Sequence, residues 1–211
     1  VGSEMCIRDR ANISWTGVDY IAHYCHFTKE AVARRLAQVS RDLSPDFRFR
    51  LTQEYDEAFR GRLSKEVILK QLERIGGRLI PEDRLIQVKH HLAHAAGAFY
   101  SSDFEESLIL AVDGYGEEES SLWAIGQGHR ITPLDQIKLP TSLGVLYQVF
   151  TAYLGFRSFG DEYKVMGLSS YGNPKTFLPV FREFIEQAAD GTYRMNRLSS
   201  PSLALWLRSH F

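Results

Sequence analysis

The run SLILAVDGYGEEES, residues 107–120, most constrains the fold. Its apolar stretch Leu108 to Val112 reads as a strand. The strand ends on Asp113 and a D-G-x-G turn, which places a carboxylate and two glycines where strand gives way to loop. Residues 120–139 read as a hairpin of two strands around 126–129, and residues 142–156 as a helix. Strand, turn, hairpin and helix in that order predict α/β layering.

The chain before that run is mixed. Residues 17–25 are short, apolar and aromatic, and read as a buried strand. Residues 28–40 have helical spacing, with Thr28 as a cap, and SPDFRFR breaks the pattern after them. Residues 64–77 form an amphipathic helix that Ser64 can start and Gly76-Gly77 can end. RLIQVKH follows as a strand, and HLAHAAGAFYSS as a helix beginning near its histidines, with Gly97 allowing close packing. Beyond the hairpin and helix, residues 157–174 read as a glycine-bearing loop and 175–189 as a helix. No repeat of solenoid type is present.

Composition excludes several classes. The 211 residues carry 25 basic and 26 acidic side chains, a net charge of −1, which leaves no electrostatic footprint for nucleic acid or an anionic membrane. No apolar run approaches the roughly 20 residues of a membrane span. Two cysteines, Cys6 and Cys25, make neither a disulfide framework nor a metal knuckle, which fits a reducing, cytoplasmic setting.

Residues 1–10, VGSEMCIRDR, match a translated frame of a sequencing-library transposase adapter and are set aside as a scar. LALWLRSHF stops in an apolar segment with no helix-stop signal. Both observations lead us to expect a fragment of a longer polypeptide.

KHHLAHAAGAFYSS uses three of the chain's 7 histidines within five residues. His90 and His94 are four apart, so on a helix they share a face with Cβ atoms about 5–6 Å apart. Two imidazoles so placed can share a metal ion. The same spacing also occurs on surfaces that hold no metal. A third ligand is wanted, and Asp113, at a strand end before a glycine turn, is the candidate. The turn itself, with Gly114 and Gly116, can bring backbone amides to a phosphate, or can simply lead into a hairpin. Glu117, Glu118 and Glu119 beside it would repel phosphate without an intervening cation. In GDEYKVMGLSSYG, Asp161 and Glu162 can bind ribose hydroxyls or metal-bound water and Lys164 can pair with phosphate. A solvated loop with a salt bridge accounts for them equally.

Taken together, HHLAHAAGAFYSS, LAVDGYGEEESS, SLGVLYQVFTAYLGF and GDEYKVMGLSSYG resemble the carbamoyltransferase family of antibiotic and nodulation-factor biosynthesis, closely over residues 85–175 and loosely on the flanks. The resemblance implies a partial actin-like ATPase fold, similar to that of the tRNA threonylcarbamoyl-transfer protein and truncated at both ends. Residues 11–105 would be the remainder of a first subdomain and 106–211 the start of a second. It implies a two-step reaction: carbamoyl phosphate and ATP give carbamoyl-adenylate, mainly in a C-terminal domain, and the carbamoyl group then passes to a hydroxyl of a small molecule. His90, His94 and Asp113 would hold a divalent metal, usually Fe2+, with Zn2+ or Mg2+ as alternatives. Gly114 and Gly116 would face the nucleotide phosphates, Asp161, Glu162 and Lys164 the ribose, and His91 would be the base that accepts the hydroxyl proton. The family's early phosphate loop, a later aspartate ligand and the C-terminal domain are not in these residues. We therefore expect preorganised ligands, weak metal binding and no activity from the chain alone.

Competing readings are a non-catalytic ATP-binding module of the same fold and a tRNA-modifying relative. The neutral charge and the GDEYKVMGL loop count against the latter. A zinc peptidase would need the glutamate of H-E-x-x-H, which HHLAH lacks.

Overall fold

The structure is a computed structural model and describes residues 17–26, 28–39, 53, 64–77, 79–157, 160–195 and 207. The adapter-like residues 1–10, the SPDFRFR break and all of LALWLRSHF but Leu207 lie outside the described residues.

Two short strands, β1 (Ile21–His23) and β2 (Leu85–Gln87), pair in parallel with Ile21 opposite Leu85. Parallel neighbours need a crossover. Helices α1 (Lys29–Val39) and α2 (Lys65–Gly76) lie in it. Both helices start as their sequences predict: Thr28 Oγ1 accepts from the Ala31 amide at 3.1 Å, and Ser64 Oγ from the Val67 amide at 3.3 Å. Gly77 ends α2 in the left-handed region, φ 69°, with its amide on the Glu73 carbonyl. The strand expected over 17–25 shrinks to three residues. Tyr20 and Tyr24 on either side are 66% and 60% exposed, so the aromatics that suggested burial face outward.

The central unit is helix α3 (His90–Tyr100) on an antiparallel meander of β3 (Glu106–Val112), β4 (Glu119–Gln127) and β5 (Arg130–Lys138). Alternation along β3 sends Ile109 and Ala111 under α3, where they pack with Ala95, Phe99, Leu122 and Ala124. Leu108, Leu110 and Val112 occupy the other face and are exposed. The β4–β5 turn falls on Gly128 and His129, with Gly128 at φ 55°. Gly126, expected in that turn, lies inside β4: a Cβ there would come within 2.6 Å of the Phe99 ring. Gly97 plays no such part. Among the described residues nothing comes within 4 Å of a Cβ built at it, so the close packing expected there is not seen among them.

Helix α4 (Leu143–Tyr153) follows, capped by Ser142. The loop expected over 157–174 contains a helix, α5 (Glu162–Ser169). The helix expected over 175–189 is shorter: α6 runs Pro174–Arg182, and the chain then forms a hairpin of β6 (Ile185–Gln187) and β7 (Tyr193–Met195). The cause is the Asp190-Gly191 turn, whose Gly191 has φ 82° and lets the two strands pair. Phe184, 1% exposed, anchors the hairpin against Leu146, Met195 and Leu207. The protein is thus a mixed helix and sheet structure, as α/β layering predicts. Among the described residues no helix is long and apolar enough to cross a membrane.

Candidate metal centre

Three strand ends meet beside the first turn of α3. β2 runs into His90, β1 runs into Tyr24 and Cys25, and β3 runs into Asp113. Carboxyl ends of strands are where open α/β sheets place ligands. His90 Nε2 lies 2.7 Å from Asp113 Oδ2 and 3.1 Å from His94 Nε2, and His94 Nε2 lies 3.5 Å from Asp113 Oδ2. One ligand atom from each of the three residues lies within 4.8 Å of the others. Two imidazoles and one carboxylate are a donor set suited to Fe2+ or Zn2+, and less to Mg2+, which prefers oxygen.

The electrostatics keep Asp113 charged. Partial burial alone would raise its carboxyl, but hydrogen bonds from His90 and from the Gly114 amide outweigh it and hold the group below the usual carboxylate range. His91 points the other way and is 2% exposed. Burial first, then neighbouring His90, lowers its imidazole below the ordinary histidine value, against weaker opposing pulls from the Ser120 backbone, Asp113 and Glu119. Neither of its ring nitrogens has a hydrogen-bond partner among the described residues.

A model of the carbamoyltransferase N-terminus matches residues 6–201. The chain belongs to that family. It is 36% identical to nodulation protein NolNO of Sinorhizobium fredii over 185 residues, 88% of this chain and 25% of that protein. It is 43% identical to nodulation protein NolO of Bradyrhizobium diazoefficiens over 109 residues, 52% of this chain and 20% of that protein. An uncharacterised protein of Synechocystis is 42% identical over 134 residues, 63% of this chain and 22% of that protein. The chain thus spans a quarter or less of the length of each of these relatives.

For a carbamoyltransferase N-terminus, the D-G-x-G turn is built with little slack. A Cβ on Gly116 would lie 2.8 Å from His90 Cβ and 3.0 Å from His91 Nδ1, so the turn can sit on the histidines only with glycine there. Its amides, which could have met a phosphate, are committed: Gly116 N–H donates to the Glu119 carbonyl at 2.8 Å and Gly114 N–H to Asp113 Oδ1 at 2.6 Å. The glutamates beside it are engaged as well. Glu117, 4% exposed, accepts from the amides of His90 and His26; Glu118 pairs with Arg34 at 2.6 Å; Glu119 pairs with Lys89 at 3.4 Å. Asp161, Glu162 and Lys164 lie at the start of α5, with Lys164 Nζ 2.9 Å from Asp161 Oδ1 and Glu162 accepting from the Gly160 amide at 2.8 Å.

Four residues escape motif reading. Glu117 supplies the cap that Lys89, at the N-cap of α3, does not. Ser142 caps α4 and donates to the Gly114 carbonyl at 2.6 Å, clasping the turn. Gly144 lets the α4 backbone touch that turn. Cys25 places Sγ 3.7 Å from His90 Nδ1. A serine before a helical run signals Ser142; the other three are visible only once distant segments meet.

Proposed function

We propose that this chain forms part of an O-carbamoyltransferase whose metal is held by His90, His94 and Asp113. The observation that carries the reading is the convergence of one nitrogen from each histidine with an Asp113 oxygen within 4.8 Å. Family membership gives the reaction class, and a hydroxyl-bearing small molecule is the acceptor in this reading. Carbamoyl phosphate and ATP are the co-substrates in this reading, the scaffold is of the actin-like ATPase type, and the remaining machinery lies elsewhere in the longer polypeptide.

When bound, a divalent metal supplies Lewis-acid polarisation of a carbonyl or phosphate oxygen. The chain's own residues prepare for that. Asp113 stays ionised and offers negative charge at the end of β3. His90 and His94 present their Nε2 atoms from successive turns of α3. The Ser142 hydroxyl and the close approach at Gly144 fix the turn behind Asp113. His91, buried under Gly116, is better placed to set the spacing of the turn than to meet an acceptor hydroxyl. The Asp161, Glu162 and Lys164 group is kept as the nucleotide-facing surface of this reading; the amides of Gly114 and Gly116, held on Asp113 and Glu119, are not offered to a phosphate.

The test uses the full-length polypeptide with ATP, carbamoyl phosphate and a panel of hydroxyl acceptors. Carbamoyl transfer should occur and should be lost in His94→Ala and Asp113→Asn while folding is retained. Transfer that survives either substitution would overturn the assignment of the metal ligands.

A further inference from the structure

His90 has a partner on each ring nitrogen. Nε2 faces Asp113 and His94; Nδ1 faces the Cys25 thiol at 3.7 Å, a contact across 65 positions of sequence. The Cys25 backbone is fixed independently. Its carbonyl receives the Gln87 side-chain amide at 3.2 Å, and the next amide, from His26, is held on Glu117 at 2.6 Å. Glu117 also takes the His90 amide, so Cys25 and His90 hang from one carboxylate. The thiol is 6% exposed, so His90 Nδ1 meets it away from solvent. A protonated thiol both donates and accepts hydrogen bonds weakly.

We propose that Cys25 is the positioning residue for His90, fixing the ring's orientation and matching its tautomer to the state of the metal site. The inference rests on the metal reading above. Without metal, His90 Nε2–H donates to Asp113 and the Cys25 S–H donates to Nδ1. Were Nε2 given over to a metal, the neutral ring would carry its one proton on Nδ1 instead and donate it to Sγ. The ring stays neutral throughout, losing one proton at Nε2 and gaining one at Nδ1. Groups that hold the second nitrogen of a metal-bound histidine in this way change metal affinity by about 10–100-fold when removed.

The test is 15N NMR of histidine-labelled chain, with Zn2+ as the diamagnetic probe. In wild type, the His90 signals should report Nε2–H without zinc and Nδ1–H with it. Cys25→Val and Cys25→Ala, two variants that fill and empty the same space, should shift the His90 Nδ1 resonance and weaken Zn2+ binding about tenfold. Cys25→Ser, which keeps a donor and acceptor, should restore most of both. Unchanged Nδ1 shifts and affinity in folded Cys25→Val or Cys25→Ala would overturn the proposal. If wild type binds no Zn2+, the metal reading fails separately, and the zinc-free Nδ1 shift still decides whether Cys25 holds His90.

Discussion

Gly144→Ala separates two forces of opposite sign. Gly144 is the second residue of α4, and by helix propensity alone alanine there would gain at most about 1 kcal/mol. The tertiary structure opposes this. A Cβ at Gly144 would lie 2.5 Å from the Gly114 amide nitrogen and 2.6 Å from the Asp113 carbonyl carbon and oxygen. Those atoms are backbone, tied by the Gly116–Glu119 and Asp113–Ser120 hydrogen bonds, and cannot swing aside as a side-chain tip could. Overpacking of this kind costs about 1–3 kcal/mol. Forcing α4 outward would also stretch the Ser142–Gly114 hydrogen bond, worth about 1 kcal/mol. The net expectation is a loss of about 2 kcal/mol, or about 4–8 °C in Tm for a chain of this size. The measurement is thermal and urea unfolding followed by circular dichroism, with zinc titration alongside, because the displaced backbone carries Asp113. An unchanged or raised Tm would refute the claim that this contact is rigid.

Other outcomes follow from the same geometry. Gly97→Ala, at an exposed helical position with none of the described residues within 4 Å of the added Cβ, should stabilise the protein by about 0.5–1 kcal/mol, read as a higher urea midpoint. Gly126→Ala should destabilise by about 1–3 kcal/mol through the Phe99 ring, and adding Phe99→Leu should recover part of that loss, a coupling that a double-mutant cycle measures. Glu117→Ala removes the carboxylate that accepts the His26 and His90 amides and should cost about 1–3 kcal/mol, with faster amide exchange at both positions. Three donors from this chain should bind metal weakly enough for a chelator to strip it at once; stoichiometric iron retained through gel filtration would contradict that.

Much of the local structure was legible because its causes are local. Thr28 and Ser64 sit where side-chain oxygens can take the first helical amides. Gly77 and Gly128 have the left-handed backbone that ends a helix or turns a hairpin. The four-residue spacing of His90 and His94 likewise needs only the geometry of a single element; which face of the uniformly apolar run Leu108 to Val112 in β3 is buried does not. Where local signals competed, the reading slipped. Apolar and aromatic residues over 17–25 suggested burial that Tyr20 and Tyr24 do not have. The D-G turn at 190–191 outweighed helical spacing after Arg182. The glycines over 157–174 concealed a short helix, α5.

The site divides along the same line. The sequence alone placed two imidazoles on one helical face and a carboxylate at a strand end, since both follow from backbone period. Only the tertiary structure could bring His90 and Asp113, 23 positions apart, to 2.7 Å. It alone turned Glu117 inward as a cap, set Cys25 behind His90, and made Gly116 and Gly144 obligatory. Those roles arise where separate strand ends and a helix N-terminus crowd together, and no pattern within one segment encodes how closely another backbone will approach.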